Sequence, residues 1–151
     1  MVILGSGEID TFQLFQNCTG LEEVTILDTV SKIYMYTFSG CTNLKKINYS
    51  NSITEIHSCA FENCTSLKEI RISRGVIRIN EAAFNGCSSL EKVYIPSSVT
   101  NIGGFKTFSG MKSGSIIYVE TEAVKNLLVD GNPASNYDSS LTTIVVDPSK
   151  F

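Results

Sequence analysis

Apolar residues recur along this chain at a spacing far longer than a helical turn or a strand alternation. Phe15, Phe38, Phe61 and Phe84 stand 23 residues apart, and Phe108 follows at 24. Cys18, Cys41, Cys64 and Cys87 keep the same interval of 23, as do Leu21, Leu44, Leu67 and Leu90. Val24, Ile47, Ile70 and Val93 mark a further slot, and Ile26, Tyr49, Ile72 and Ile95 another. A second cluster in each unit holds Val30, Ile53, Val76 and Val99, then Ile33, Ile56, Ile79 and Ile102. The unit reads Phe-x-x-Cys-x-x-Leu-x-x-Val/Ile-x-Ile/Tyr-x-x-x-Val/Ile-x-x-Ile. A period of this length marks a stacked repeat. Within it, Leu-x-x-Val-x-Ile predicts a short β-branched strand. The small polar residues around each Cys, such as Ser39-Gly40 and Ser88-Ser89, predict tight turns.

One unit exposes both its flanks, so only a stack of units buries a continuous core. Like strands then pair in parallel at about 4.8 Å, and four to five turns make a block roughly 20–24 Å long. In-register stacking makes residues 23 apart cross-strand neighbours, where opposite charges attract. Glu23, Lys46, Glu69 and Lys92 alternate in sign, as do Lys32, Glu55 and Arg78. Each exposed pair is worth well under about 1 kcal/mol, so these ladders serve register more than stability.

The array has distinct ends. Met111 stands in the fifth Cys slot, where the repeat decays, and Ile117-Tyr118-Val119 falls where the last strand belongs. Thr121 can cap a short helix carrying Val124, Leu127 and Leu128 on one face. Gly131, Asn132 and Pro133 break it, and Leu141 to Val146 reads as a closing strand that covers the apolar flank of the last turn. Residues 1–14 read as an irregular N-terminal edge, 15–119 as repeats and 120–151 as a C-terminal cap. Ile9 lies six residues before Phe15 where the repeat asks for five, which leaves the first turn irregular.

The phrases Ala60-Phe61-x-x-Cys64-x-x-Leu67-x-x-Ile70-x-Ile72 and Ala83-Phe84-x-x-Cys87-x-x-Leu90-x-x-Val93-x-Ile95-Pro96-x-x-Val99-x-x-Ile102-Gly103 resemble the BspA-like (Treponema pallidum type) leucine-rich repeat. The resemblance runs from about Phe15 to Val119. It implies a right-handed, mostly β solenoid of the horseshoe-type leucine-rich-repeat class, with a parallel sheet on its concave face. It also implies a surface or secreted protein of bacteria or some protists, with a role in adhesion. The chain departs from the family pattern at the Gly slot, filled by Tyr34, His57 and Asn80 with Gly only at Gly103. It departs again at the Pro slot, filled by Leu27, Ser50 and Ser73 with Pro only at Pro96.

Composition narrows the function classes. The 151 residues are 42% hydrophobic and 18% charged, with net charge -3, one His and no Trp. That balance excludes a disordered tail and offers no basic footprint for nucleic acid. No apolar run reaches the ~18 residues of a membrane span. The first five residues lack the features of a secretory signal. An extracellular or cell-surface location therefore implies a leader absent from this sequence, which reads as a piece of a longer protein.

Candidate chemistry is sparse. An odd count of five cysteines is a poor disulfide framework. Adjacent slots in a stack do lie within disulfide range, but each Cys reads as a small buried filler with a weak S–H donor. His57-x-Cys59 with Cys64 is the one metal-like cluster. It falls short of a zinc set, because Cys64 points inward with its ladder and no second His exists. Any His-dependent nucleophile would need His57, and no serine sits in a Gly-x-Ser-x-Gly elbow. Glu22 and Glu23 belong to a strand surface. The expectation is a non-enzymatic protein without metal or cofactor. Asn17, Asn48 and Asn63 head glycosylation sequons of the kind that chance supplies in Asn-, Ser- and Thr-rich repeats.

Binding is the remaining class. Outward positions across the strand face are Thr25, Asn48, Arg71 and Tyr94, flanked by Lys45, Lys46, Lys68, Glu69, Glu91 and Lys92. Arg and Tyr are enriched at binding hot spots, and Arg71 and Tyr94 should be neighbours. The bland alternative is a solvated face on which Arg71 merely packs on Tyr94. Arg71, Tyr94, Asn48, Lys46, Lys68 and Lys92 are the candidate contacts for a protein or glycan ligand. The competing reading is a structural spacer that is monomeric or associates weakly end to end.

Overall fold

The computed structural model describes residues 2–5, 12–129 and 137–151. Among these residues eleven strands run in the order β1 (Val2–Leu4), β2 (Glu23–Ile26), β3 (Lys32–Ile33), β4 (Lys46–Tyr49), β5 (Glu55–Ile56), β6 (Glu69–Arg71), β7 (Arg78–Ile79), β8 (Lys92–Ile95), β9 (Asn101–Ile102), β10 (Ser115–Val119) and β11 (Thr142–Val146). The helix α1 (Glu122–Val129) lies between β10 and β11, and a 3-10 turn at Pro148–Lys150 follows β11.

The chain winds as a parallel solenoid of about five turns. The long slots of each unit form a wide wall in two sheets, ordered β1-β2-β4 and β6-β8-β10-β11. The two-residue strands β3-β5-β7-β9 form a narrow wall. Glu23 pairs with Lys46 and Val24 with Ile47, while Glu69 pairs with Lys92 and Ile70 with Val93, so the register equals the sequence period. Alternation within a strand sends Val24 and Ile26 to the core and Glu23 and Thr25 outward.

The third wall is made of turns built around the Phe slot. The residues two before each Phe have positive φ: Gln13, Tyr36, Cys59, Ala82 and Lys106, at 53–67°. So do the residues two after it: Asn17, Gly40, Asn63, Gly86 and Gly110. This alternation aims every second N–H along the stack. In the second turn Tyr36, Phe38 and Gly40 donate to the carbonyls of Ser58, Ala60 and Glu62 (3.4, 2.8 and 2.7 Å). The buried backbone is thereby satisfied without a regular strand. Inside, the five Phe rings stack nearly parallel, with centroids 5.2–5.6 Å apart.

A seam divides the wide wall between β4 and β6, which are not strand-paired. Tyr49 stands there in the slot held by Ile26, Ile72 and Ile95, and its hydroxyl donates to the Arg71 carbonyl at 2.9 Å. At the C-terminal end, Thr121 Oγ1 accepts from the Val124 N–H (3.4 Å) at the start of α1, which buries Val124 and Leu128. Strand β11 adds in parallel to β10, with the buried hydroxyls of Ser115 and Thr142 bonded at 3.0 Å.

The N-terminal segment differs from expectation. Residues read as irregular contain β1, which pairs in parallel with β2 as Val2↔Val24 and Leu4↔Ile26. The apolar run Val2-Ile3-Leu4 suits a strand at that edge. The link from β1 to Phe15 does not keep the repeat spacing, so the period hides the strand. Ile9 and the Gly131-Asn132-Pro133 breaker lie outside the described residues.

Candidate binding face

Two outward columns define the face of the wide wall. The first is the ladder Glu23, Lys46, Glu69, Lys92. Lys46 Nζ lies 3.1 Å from Glu23 Oε1, and this contact with the Asn48 amide holds the Glu23 carboxyl below its ordinary range. The alternation then breaks at the seam. Glu69 turns to Arg71 on its own strand, at 3.0 Å. Lys92 makes no ion pair among the described residues. On the narrow wall Lys32 pairs with Glu55 at 3.6 Å.

The second column is Thr25, Asn48, Arg71, Tyr94, continued by Tyr118 through the pair Tyr118↔Tyr94. Asn48 is half-buried, and its amide donates to Glu23 Oε1 (2.9 Å) and Thr25 Oγ1 (3.3 Å). Arg71 lies over Tyr94, with Cζ 3.8 Å from the ring centroid, as the bland reading of this pair expects. Tyr118 stacks on Tyr94 at 4.9 Å and 12°. Tyr94 is only 6% exposed, because the end of the chain folds back over it. Phe151 meets it edge to face at 6.3 Å and 75°, and Arg71 Nη1 donates to the Lys150 carbonyl at 3.2 Å.

The sequence reading placed Tyr94 on an open face, and its outward direction holds while its exposure does not. Tyr118 was countable from the period. The returning segment was not, because it lies beyond the repeat and reaches the face only in three dimensions.

Beside the first column runs an open groove of about 380 Å³, lined by Lys45, Ser66, Lys68 and Ser89. Lys45 pairs with Glu22 at 3.0 Å. Lys68 is exposed and makes no ion pair among the described residues. Glu91 is held below its ordinary range by hydrogen bonding to Lys112, with Lys68 and Lys92 adding to the effect.

The remaining candidates settle into the scaffold. The five cysteines are free thiols, with Cys41, Cys64 and Cys87 buried. Each of those three donates to the Phe carbonyl of the turn before: Phe15 (3.1 Å), Phe38 (3.3 Å) and Phe61 (3.3 Å). Burial pushes the Cys41 thiol up to about 11 and the Cys87 thiol up to about 12, the reverse of a reactive thiolate. Burial, with Glu62 adding, also raises Cys59. His57 stacks on Tyr34 (5.2 Å, 18°), with Nε2 3.6 Å from Glu55 Oε2. Among the described residues no group of three or more His, Cys, Asp or Glu side chains is placed to hold a metal ion.

Known structures share this architecture. The chain is 26% identical to a leucine-rich repeat protein from Bacteroides ovatus, with TM-score 0.73, covering 88% of this chain and 32% of that one. It is 25% identical to the leucine-rich repeat protein of T. pallidum, with TM-score 0.68, covering 94% and 71%. It is 29% identical to a leucine-rich cell surface protein of Faecalibacterium prausnitzii, with TM-score 0.60, covering 92% and 30%. The chain thus spans about a third of the Bacteroides ovatus protein's length. No curated protein matches it in sequence. The BspA-type leucine-rich repeat region matches residues 9–126 in six copies. With the 23-residue register, the Phe and Cys ladders and this match all covering the same stretch, the chain belongs to the BspA-type leucine-rich repeat family.

Proposed function

We propose that the chain is a non-enzymatic recognition module of a cell-surface or secreted repeat protein, contacting a protein or glycan through the outer face of its wide wall. One observation carries this reading. Lys68 lines the groove with Lys45, Ser66 and Ser89, and Lys92 stands exposed in the adjoining column; neither makes an ion pair among the described residues, while Lys45 and Lys46 are each paired. Exposed cations without a close ion pair beside a concavity suit an anionic or hydroxyl-rich ligand. A surface location draws support from the cell surface protein of Faecalibacterium prausnitzii.

The test is a binding screen of the purified chain against extracellular-matrix proteins and glycans, at low and physiological salt. Saturable binding should weaken at least about tenfold in Lys68→Glu/Lys92→Glu, and should fall with salt. Absence of binding at both salt levels, or binding indifferent to the double variant, would refute the reading.

A spacer role is favoured by a different observation. Among the described residues β1 pairs only with β2 and ends its sheet, and Phe12 near that end is 64% exposed. A spacer should associate end to end in sedimentation, and Phe12→Glu should abolish that association.

A further inference from the structure

We infer that Arg71, Tyr94 and Tyr118 form a docking site for a peptide bearing an aromatic side chain, and that residues 148–151 occupy this site in cis. The inference rests on the binding-module reading and names a partner class for the same face.

The stacking geometry defines what this site can take. One face of Tyr94 is covered by Tyr118 at 4.9 Å and the other by the Arg71 guanidinium at 3.8 Å. A sugar stacks flat on an aromatic face, and Tyr94 has none left to offer. It presents its edge, and ring edges carry the positive part of the aromatic quadrupole. Such an edge seeks the face of a third ring. Phe151 occupies that position, 6.3 Å away and inclined at 75°.

Arg71 supplies the second contact. Its Nε is fixed by Glu69 at 3.0 Å, which leaves Nη1 to donate to the Lys150 carbonyl at 3.2 Å. That contact reads backbone and not side chain, so it does not depend on which residue carries the carbonyl. An aromatic ring preceded by a free carbonyl is therefore the recognised unit.

The occupant is lightly held. Asp147 Oδ1 accepts from Ser149 N (3.0 Å) and Ser149 Oγ (2.6 Å), forming the turn that sends the chain back over the face. Pro148–Lys150 contains no buried residue. The ring contact and the Arg71 hydrogen bond hold this segment on the site. A competing peptide with the same two features can replace it, and its apparent affinity scales with the fraction of molecules in which the site is open.

The probe is a labelled peptide carrying the chain's own Asp-Pro-Ser-Lys-Phe segment behind a flexible spacer, read by fluorescence anisotropy. It is titrated against the full chain, a chain ending at Asp147, and that shortened chain with Arg71→Gln, each checked by circular dichroism. The shortened chain should bind saturably and about tenfold or more tighter than the full chain, the ratio for an open fraction near a tenth. Binding should vanish when the peptide's Phe is replaced by Ala, and should weaken with Arg71→Gln. No saturable binding to the shortened chain overturns the inference. So does equal binding to the full chain, or binding indifferent to the peptide's Phe or to Arg71. Should the shortened chain fail to fold, Phe151→Ala in the full chain opens the same site and is held to the same outcomes. The ligand screen relies on Lys68 and Lys92 and not on residues 148–151, so the two readings fail separately.

Discussion

Replacing Phe61 by Leu asks whether the aromatic ladder contributes through its stacking or only through its volume. Phe61 is wholly buried and lies between Phe38 at 5.2 Å and Phe84 at 5.3 Å, with interplanar angles of 10° and 6°. Leu keeps most of the apolar bulk, so the change of shape alone costs under about 1.5 kcal/mol. Two aromatic contacts disappear as well, each worth about 0.5–1.5 kcal/mol beyond area. The expected loss is therefore about 1–4.5 kcal/mol, a large part of the 5–15 kcal/mol typical of a domain. Phe15 is the internal control. It is half-buried and has one ring partner, Phe38 at 5.6 Å, so Phe15→Leu should cost about half as much. The assay is urea unfolding followed by far-UV circular dichroism and by tyrosine fluorescence, because agreement between probes tests the all-or-none transition that repeat arrays can lose. A Phe38→Leu/Phe61→Leu cycle isolates the pair term. Equal costs at positions 15 and 61, with a coupling below about 0.3 kcal/mol, would show that the rings only fill space.

Other expectations follow from the turns and the titratable groups. A Cβ on Gly75 would lie 1.8 Å from the Asn51 carbonyl oxygen, so Gly75→Ala should cost about 3 kcal/mol or more in the same urea assay. Ala82 sits at φ 54°; Ala82→Gly relieves about 1–2 kcal/mol of left-handed strain against about 0.4–1 kcal/mol of added unfolded-state freedom, and should raise the unfolding midpoint. Native-state alkylation at neutral pH should spare Cys41, Cys64 and Cys87 until the chain is unfolded. Their folded pKa values are raised, so ionisation favours the unfolded chain and stability should decline above about pH 9. At the acid end, burial pushes Glu55 up, but the Asn80 amide and cations including Lys32 and Arg78 outweigh it, and its pKa is lowered. A lowered folded pKa gives stability that is present above the unfolded value of 4.5 and is lost as pH falls through the folded one. Thermal melts from about pH 7 to about pH 3 should show that loss, reduced in Glu55→Gln.

The sequence alone determined the register of the stacked turns, the long strand in each repeat and the closing helix and strand. The physical reason is one-dimensional: each turn must place the same apolar slots over those of its neighbour, so the period at Phe, Cys, Leu and the β-branched positions is itself the register. Even the thiol donors are legible, since a polar atom at a buried slot needs a partner and the preceding turn supplies a carbonyl.

The tertiary structure decided the rest. Gln13, Tyr36, Cys59, Ala82 and Lys106 share a left-handed conformation that none of these residue types favours. Local propensity therefore could not announce it. It holds because the N–H groups of Gln13, Tyr36, Cys59 and Ala82 then reach the carbonyls of Met35, Ser58, Glu81 and Phe105 one turn on. The two-turn alternation of Asn17, Gly40, Asn63 and Gly86 is also spatial. A Cβ on Gly40 would meet Asn17 Oδ1 at 2.2 Å, and one on Gly86 would meet Asn63 Oδ1 at 2.2 Å, so each Asn needs a Gly above it. Strand β1 and the residues returning over Tyr94 lie outside the period altogether. Their places depend on an open sheet edge and on a ring edge that exist only once the turns have stacked.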